Sequence, residues 1–305
     1  MDWLDWLLTA ARFVSLTASI LLAAAYGFYL FIYSADLRST RSELFPERLI
    51  LLSAVAAFLG QLAWLGGLFV SLSQEVGSAG FEPYQTFFFG TQVGKIGLVR
   101  CCLLLLLVAY RLLRFSRGRA KIPIWIEPVL AFVQLALLSW LSHAAAVIGP
   151  WGSIQTGTDL LHLTSTAIWP AGLVPLWLLL RQVAPETIKR DVLIRFSNVS
   201  VVVAPLVGAT GILSAYFRLH AVAPLITTPY GRYVFLKSVC FFVLIGLGAA
   251  NRFRLVPALR GAFSEGPLLA GNWRILHRNI LIEQLLLIVL LFAVARLGLL
   301  PPPES

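Results

Sequence analysis

Long apolar runs separated by short polar clusters set the rhythm of this chain. A helix needs about 20 mostly apolar residues to cross a bilayer. Eight segments satisfy that length: residues 9–33, 48–71, 91–113, 123–147, 159–180, 193–217, 231–251 and 277–297. The connectors between them collect the Pro, Gly and charged residues, as in Phe81-Glu82-Pro83, Gly149-Pro150-Trp151-Gly152, Ala184-Pro185-Glu186 and Thr227-Thr228-Pro229. The predicted fold is therefore all-α: a polytopic transmembrane helix bundle of about eight membrane-spanning helices, forming one integral membrane domain over residues 1–305.

The basic residues then orient the bundle. Arg38, Arg41 and Arg48 follow the first span; Arg111, Arg114, Arg117, Arg119 and Lys121 follow the third. Arg181, Lys189, Arg190 and Arg195 follow the fifth, and Arg252, Arg254, Arg260, Arg274 and Arg278 the seventh. The alternate connectors carry only Arg218 and Arg232. Lys and Arg accumulate on the cytoplasmic side, so both termini are predicted to face outward, periplasmic in a bacterial inner membrane. Trp3, Trp6, Trp125, Trp140 and Trp151 suit the interfacial belts.

Composition agrees and removes alternatives. Of 305 residues, 59% are hydrophobic and 12% charged, against about 25% charged in ordinary soluble domains. The net charge of +10 is explained by topology, and no nucleic-acid partner is implied; the surrounding partner is lipid. Asp2 and Asp5 precede the first apolar run without any Lys or Arg, and that run exceeds a signal-peptide core, so it reads as a span. Cys101, Cys102 and Cys240 lie inside spans and form no disulfide framework. No phosphate-binding loop, zincin motif or hydrolase elbow occurs, so the chain reads as non-enzymatic.

Polar residues within the spans are the candidates for function. His143 lies about 30 Å beyond residue 123 at about 1.5 Å per residue, at the outer end of the fourth span. His162 is expected one turn inside the outer start of the fifth span, and His220 follows the sixth on the same side; His277 opens the eighth on the other. Three outer imidazoles with Asp159, three residues before His162, fit a copper or zinc site, with Asp159 a ligand or an orienting partner. The same residues also fit plain interfacial hydrogen bonding, with Asp159 capping its helix. Arg100 and Lys237 fall about 9–14 Å below the outer face, and Glu283 about 9 Å from the cytoplasmic end. Gln61 and Gln134 add polar groups at mid-depth. These five are pathway or structural residues; Glu283 can equally pair with a cation such as Arg252, and Arg100 and Lys237 can snorkel. The cysteines fall at a similar depth to Arg100, where a thiol serves as a Cu(I) ligand or simply as a small hydrophobe. Pro170, Pro175 and Pro205 are predicted to kink their helices, and Gly66-Gly67, Gly94-x-x-Gly97 and Gly208-x-x-Gly211 to allow close helix packing.

Several of these residues carry a resemblance. Asp159-Leu160-Leu161-His162-Leu163, continuing to Trp169-Pro170-Ala171-Gly172-Leu173, resembles the D-x-x-H … W-x-G-G-L signature of the copper resistance D (CopD) family, with Pro170-Ala171 altering the Gly-Gly stretch. Ser142-His143-Ala144-Ala145-Ala146 is similar to its G-H-A-A-A. Arg195-Phe196-Ser197 with Thr210-Gly211 matches R-F-S … T-G, and Thr228-Pro229-Tyr230-Gly231, Leu236-Lys237 and Asn251-Arg252 match T-x-Y-G … L-K … N-R. Arg278-Asn279 to Glu283 is similar to the closing R-x-x-x-x-E. The likeness is close over residues 130–300 and loose before 120, where Gly90, Gly94 and Arg100 carry it. It implies a copper-handling inner-membrane protein that moves copper ions from periplasm to cytoplasm, often with a small periplasmic copper-binding protein as partner. It makes His143, His162 and Asp159 the first candidates to receive copper. The single methionine, Met1, rules out a methionine ladder for Cu(I). Two other readings stay open: a b-type haem protein with two histidines as axial ligands, and a membrane receptor for a periplasmic copper chaperone.

Overall fold

In the computed structural model, which describes residues 3–33, 47–76, 82–117, 125–142, 149–261, 267–301 and 303, every regular element is helical. The helices are α1 (Trp3–Gly27), α2 (Glu47–Val76), α3 (Gln92–Arg117), α4 (Ile126–Ala136), α5 (Pro150–Ile168), α6 (Leu173–Leu180), α7 (Glu186–Leu219), α8 (Pro229–Ala250) and α9 (Pro267–Leu297). A π-helical turn, Phe28–Ile32, extends α1, and another, Asn251–Leu255, extends α8. Among the described residues, seven helical stretches are long and apolar enough to cross a membrane.

Of the span expected at 123–147, residues 125–142 are described, and they contain α4 followed by the 3-10 turn Leu137–Leu141. A 3-10 helix rises about 2.0 Å per residue, so these two pieces together cover about 26 Å, a little less than a bilayer core of about 30 Å.

The span expected at 159–180 differs more. It begins at Pro150, nine residues early, and is broken between Ile168 and Leu173. The Gly-Pro-Trp-Gly cluster that resembles a connector is a helix start. Gly149 sits at φ 92, which a residue without Cβ adopts freely, and Pro150 takes the first helical position, where its missing N–H costs nothing. The break follows from Pro170, which has no N–H to donate; Ala171 N–H reaches back to Thr166 O instead. Asp159 therefore lies in the third turn of α5 and does not cap it. Pro205, by contrast, is carried within a continuous α7.

Three apolar clusters hold the bundle together. Leu22, Ala25, Ile50, Ala54, Leu104 and Ala131 join α1 to α4. Leu176, Leu179, Leu193, Phe196, Leu244 and Ile280 join α6 to α9. Ile20, Leu135, Ala167, Leu287 and Leu291 link the two halves through α1, α4, α5 and α9. In lipid, contact packing rather than apolar burial drives such association. It is closest where Gly60 of α2 meets α1: a Cβ there would stand 2.6 Å from the Ser15 backbone nitrogen. Arg12 donates to Gly298 O at 3.3 Å and Arg296 to Thr9 Oγ1 at 3.0 Å, so the start of α1 lies beside the end of α9.

Candidate functional site

A cavity of about 630 Å³ lies between the two halves, with walls from α1, α2, α3, the 3-10 turn after α4, α5 and α7 to α9. Its residues run from the end of α7 (Arg218, Leu219, His220) inward to Gln61, Arg100, Trp169 and Pro170.

Near the end of α7 the wall is a carboxylate cluster. Asp159 Oδ2 accepts from Arg218 at 2.6 Å and from Ser142 Oγ at 2.8 Å, and Oδ1 accepts from Ser214 Oγ at 3.0 Å. Both carboxylate oxygens are thus engaged by cation and hydroxyl donors. Asp159 is not bonded to His162, its neighbour on α5. His162 Nδ1 meets Thr210 Oγ1 at 2.9 Å, and that hydroxyl donates onward to Leu206 O at 2.5 Å. A hydroxyl committed as donor to a carbonyl accepts from Nδ1–H, which leaves Nε2 of a neutral imidazole as the free lone pair.

The early start of α5 corrects the depth of His162. Thr210 precedes His220 by about 15 Å along α7, so His162 and His220 stand at different levels. His220 is the exposed left-handed cap of α7, at φ 53. His143, the third expected imidazole, lies outside the described residues. Among the described residues, no group of three or more His, Cys, Asp or Glu side chains is arranged to hold a metal ion. Nor does a second described histidine share the depth of His162, since His277 bonds Trp273 O at 2.7 Å on α9.

Deeper in, three residues scattered through the sequence converge. Arg100 is fully buried; it donates to Gln61 Oε1, to Ser19 Oγ at 3.0 Å, to Gln134 O at 3.1 Å and to Gln134 Oε1 at 3.3 Å. All its acceptors are neutral. Ser15 Oγ also donates to Gln61 Oε1, at 3.2 Å. Arg12 joins this wall, with its guanidinium 5.5 Å above the Trp64 ring. On the opposite wall Lys237 of α8 lines the cavity and has no hydrogen-bond or ion-pair partner among the described residues. The described lining thus carries Arg12, Arg100, Arg218 and Lys237 against one carboxylate, Asp159.

Glu283 does not reach the cavity. It is buried on α9 and accepts from Asn251 Nδ2 at 3.1 Å; Asn279 donates to Asn251 Oδ1 at 2.7 Å. The expected pairing with Arg252 is not formed: Arg252 donates to Ser197 Oγ at 2.6 Å and Asn198 Oδ1 at 3.2 Å. On the same side of the bundle, Arg111 and Arg114 close over the buried Glu127 at 3.0 and 3.1 Å, and Tyr26 adds a hydrogen bond of 2.6 Å. Cys101 and Cys240 are buried and Cys102 exposed, each a free thiol away from the cavity lining.

Sequence reasoning did not single out Arg12, Ser19, Ser214, the contact of Thr210 with His162 or the partnership of Arg218 with Asp159. Two signals were present. Arg12 is a cation inside an apolar span, and Arg218 is an exception to the charge asymmetry of the connectors; both call for an internal partner.

These features define a polytopic helical membrane protein with a largely apolar cavity, carrying a few charged and polar groups, between two helical halves. Two family models match it: residues 3–153 match the copper resistance protein D-like N-terminal domain, and residues 190–297 match copper resistance protein D. The chain belongs to the copper resistance protein D family. It is similar to the copper transport protein CutJ of Bacillus subtilis (strain 168), 29% identical over 79% of this chain and 45% of that protein. Copper resistance protein D of Pseudomonas syringae pv. tomato is 30% identical over 57% of this chain and 58% of its own. The inner membrane protein YebZ of Escherichia coli (strain K12) is 28% identical over 43% and 46%. The chain spans about half the length of these curated relatives. No solved structure matches it. The family likeness extends into the first 150 residues, where the sequence motifs alone are loose.

Proposed function

We propose that this protein takes up copper from the outer side of the inner membrane through the cavity and passes it toward the cytoplasm. The observation that carries the reading is the cavity itself, which joins the Asp159 cluster to the mid-depth polar wall and has His162 along it. Nε2 of His162 is the first candidate ligand, because a neutral imidazole binds copper in either oxidation state. Asp159, held by Arg218, Ser142 and Ser214, braces the cavity mouth rather than serving as a ligand. His143, four residues past Ser139 of the cavity wall, is the candidate second ligand; His220 is an entry residue at the mouth. Glu283, with Asn251 and Asn279, forms a separate polar group for the exit path.

The chain is one integral domain that crosses the membrane eight times, with both termini periplasmic. Support comes from the adjacency of the α1 start and the α9 end, and from the charge pattern of the connectors. A small periplasmic copper-binding protein delivers the ion to the exposed segment His220–Pro229. CutJ, named a copper transport protein, is consistent with transport as the activity.

The test is copper accumulation in cells that express the protein. Wild type raises cell copper over an empty-vector control, and His162→Ala abolishes the increase. Accumulation unchanged by His162→Ala together with His143→Ala overturns the histidine route.

A further inference from the structure

The cavity has a chemistry that copper transport does not account for. Its inner wall presents cations without a carboxylate. Behind the lining, Gln61 Nε2, Trp64 Nε1 and Ser139 Oγ are closed off from the cavity space and have no hydrogen-bond partner among the described residues. Arg12 and Arg100 stand on the same wall, close enough to act on each other electrostatically. Their hydrogen bonds all go to neutral oxygens. Lys237 lines the cavity from α8 with Asp159 and Arg218 as charged neighbours, and it has no hydrogen-bond or ion-pair partner among the described residues. Asp159, the one carboxylate of the described lining, is already paired with Arg218. Uncompensated charge at membrane depth is costly, and an anion in the cavity would offset it.

The remaining lining is apolar, and it opens sideways. Gly208, Ile212 and Ala215 of α7 and Phe241 and Phe242 of α8 border the cavity. Ile212 and Phe242 are 72% and 68% exposed, so this rim faces the hydrocarbon of the bilayer. Helices α7 and α8 pack less closely on each other than α5 does on α7 or α8 on α9. They meet where the Phe241 ring lies against Gly208, and beyond that contact Ile212 and Phe242 border both the lipid and the cavity.

We propose that this cavity is a binding site for an anionic lipid, its phosphate held by Lys237 and Arg12 and its acyl chains leaving between α7 and α8 past Ile212 and Phe242. A volume of about 630 Å³ accepts a headgroup and the first part of the chains and falls in the usual range of small-molecule sites. The bound anion neutralises the wall that an entering copper ion faces, but the site stands without the copper reading.

Native mass spectrometry of the purified full chain, titrated with phosphatidylglycerol, phosphatidylcholine or inorganic phosphate, tests the proposal. Wild type is expected to hold one phosphatidylglycerol about tenfold or more tighter than phosphatidylcholine, the scale of one charge-assisted contact. Lys237→Met, which breaks no hydrogen bond, lowers that preference at least several-fold, and Lys237→Arg retains it. Arg12→Met, a second variant on the facing wall, lowers it as well. Equal binding of the two lipids by wild type, or a preference unchanged in both Lys237→Met and Arg12→Met, overturns the proposal. Inorganic phosphate displacing the lipid at comparable concentration also overturns it, since the site would then take a soluble anion.

Discussion

Removing the cation from the Asp159–Arg218 pair perturbs the cavity mouth in a way whose size follows from the geometry. In Arg218→Gln, Asp159 keeps the hydroxyl donors Ser142 and Ser214 but loses the contact at 2.6 Å. The two side chains are 13% and 16% exposed, between a dry pair and a solvated one. Breaking a buried pair costs about 3–5 kcal/mol and an exposed pair about 0–1 kcal/mol, so Arg218→Gln is expected to cost about 2 kcal/mol. Asp159→Asn costs a similar amount, because Arg218 is left with only the Ser214 carbonyl at 3.2 Å. The double variant leaves no charge unpaired, so its loss falls short of the two single losses added together by about 1–2 kcal/mol. Thermal unfolding in detergent, with circular dichroism as readout, supplies the cycle. Single variants as stable as wild type, or losses that simply add, would refute the pairing as a structural element.

Further predictions concern other parts of the fold. Gly60→Leu is expected to separate α1 from α2 and destabilise by about 1–3 kcal/mol, read by the same unfolding assay; a neutral result contradicts the close approach. Tyr26→Phe removes one hydrogen bond to the buried Glu127 and should cost about 1.5–3 kcal/mol, the range for a bond to a charged group. Arg252→Met should destabilise the protein little, since Arg252 is only partly buried and its acceptor Asn198 is exposed, whereas Asn251→Leu leaves Glu283 buried without its donor. A larger loss for Arg252→Met than for Asn251→Leu would reverse the assignment of the Glu283 partner.

The spans were legible because a bilayer imposes one length and one composition on each of them. Where the sequence reading failed, local chemistry outweighed composition. Gly149-Pro150 satisfies the rule for connectors and also the rule for helix starts, and only the left-handed φ of Gly149 decides between them. That shift moved His162 inward, away from the level of His220. The mid-depth site was legible residue by residue but not as a unit. Gln61, Arg100 and Gln134 are each exceptional in an apolar span, yet their meeting depends on how α2, α3 and α4 pack, which no local spacing encodes. Arg111 and Arg114 show the converse: the asymmetry that orients the bundle also supplies two cations for Glu127. Glu283 was identified as a carboxylate inside a span, with pairing to a cation such as Arg252 as one of two readings; the amide of Asn251 is its partner instead.

Copper affinity of the purified protein tests the central claim most directly, with wild type measured beside His162→Ala and Lys237→Met. The account predicts stoichiometric copper binding in wild type, weakened at least about tenfold in His162→Ala and retained in Lys237→Met. Binding of equal affinity in wild type and His162→Ala would contradict it and reduce His162 to a hydrogen-bond partner of Thr210.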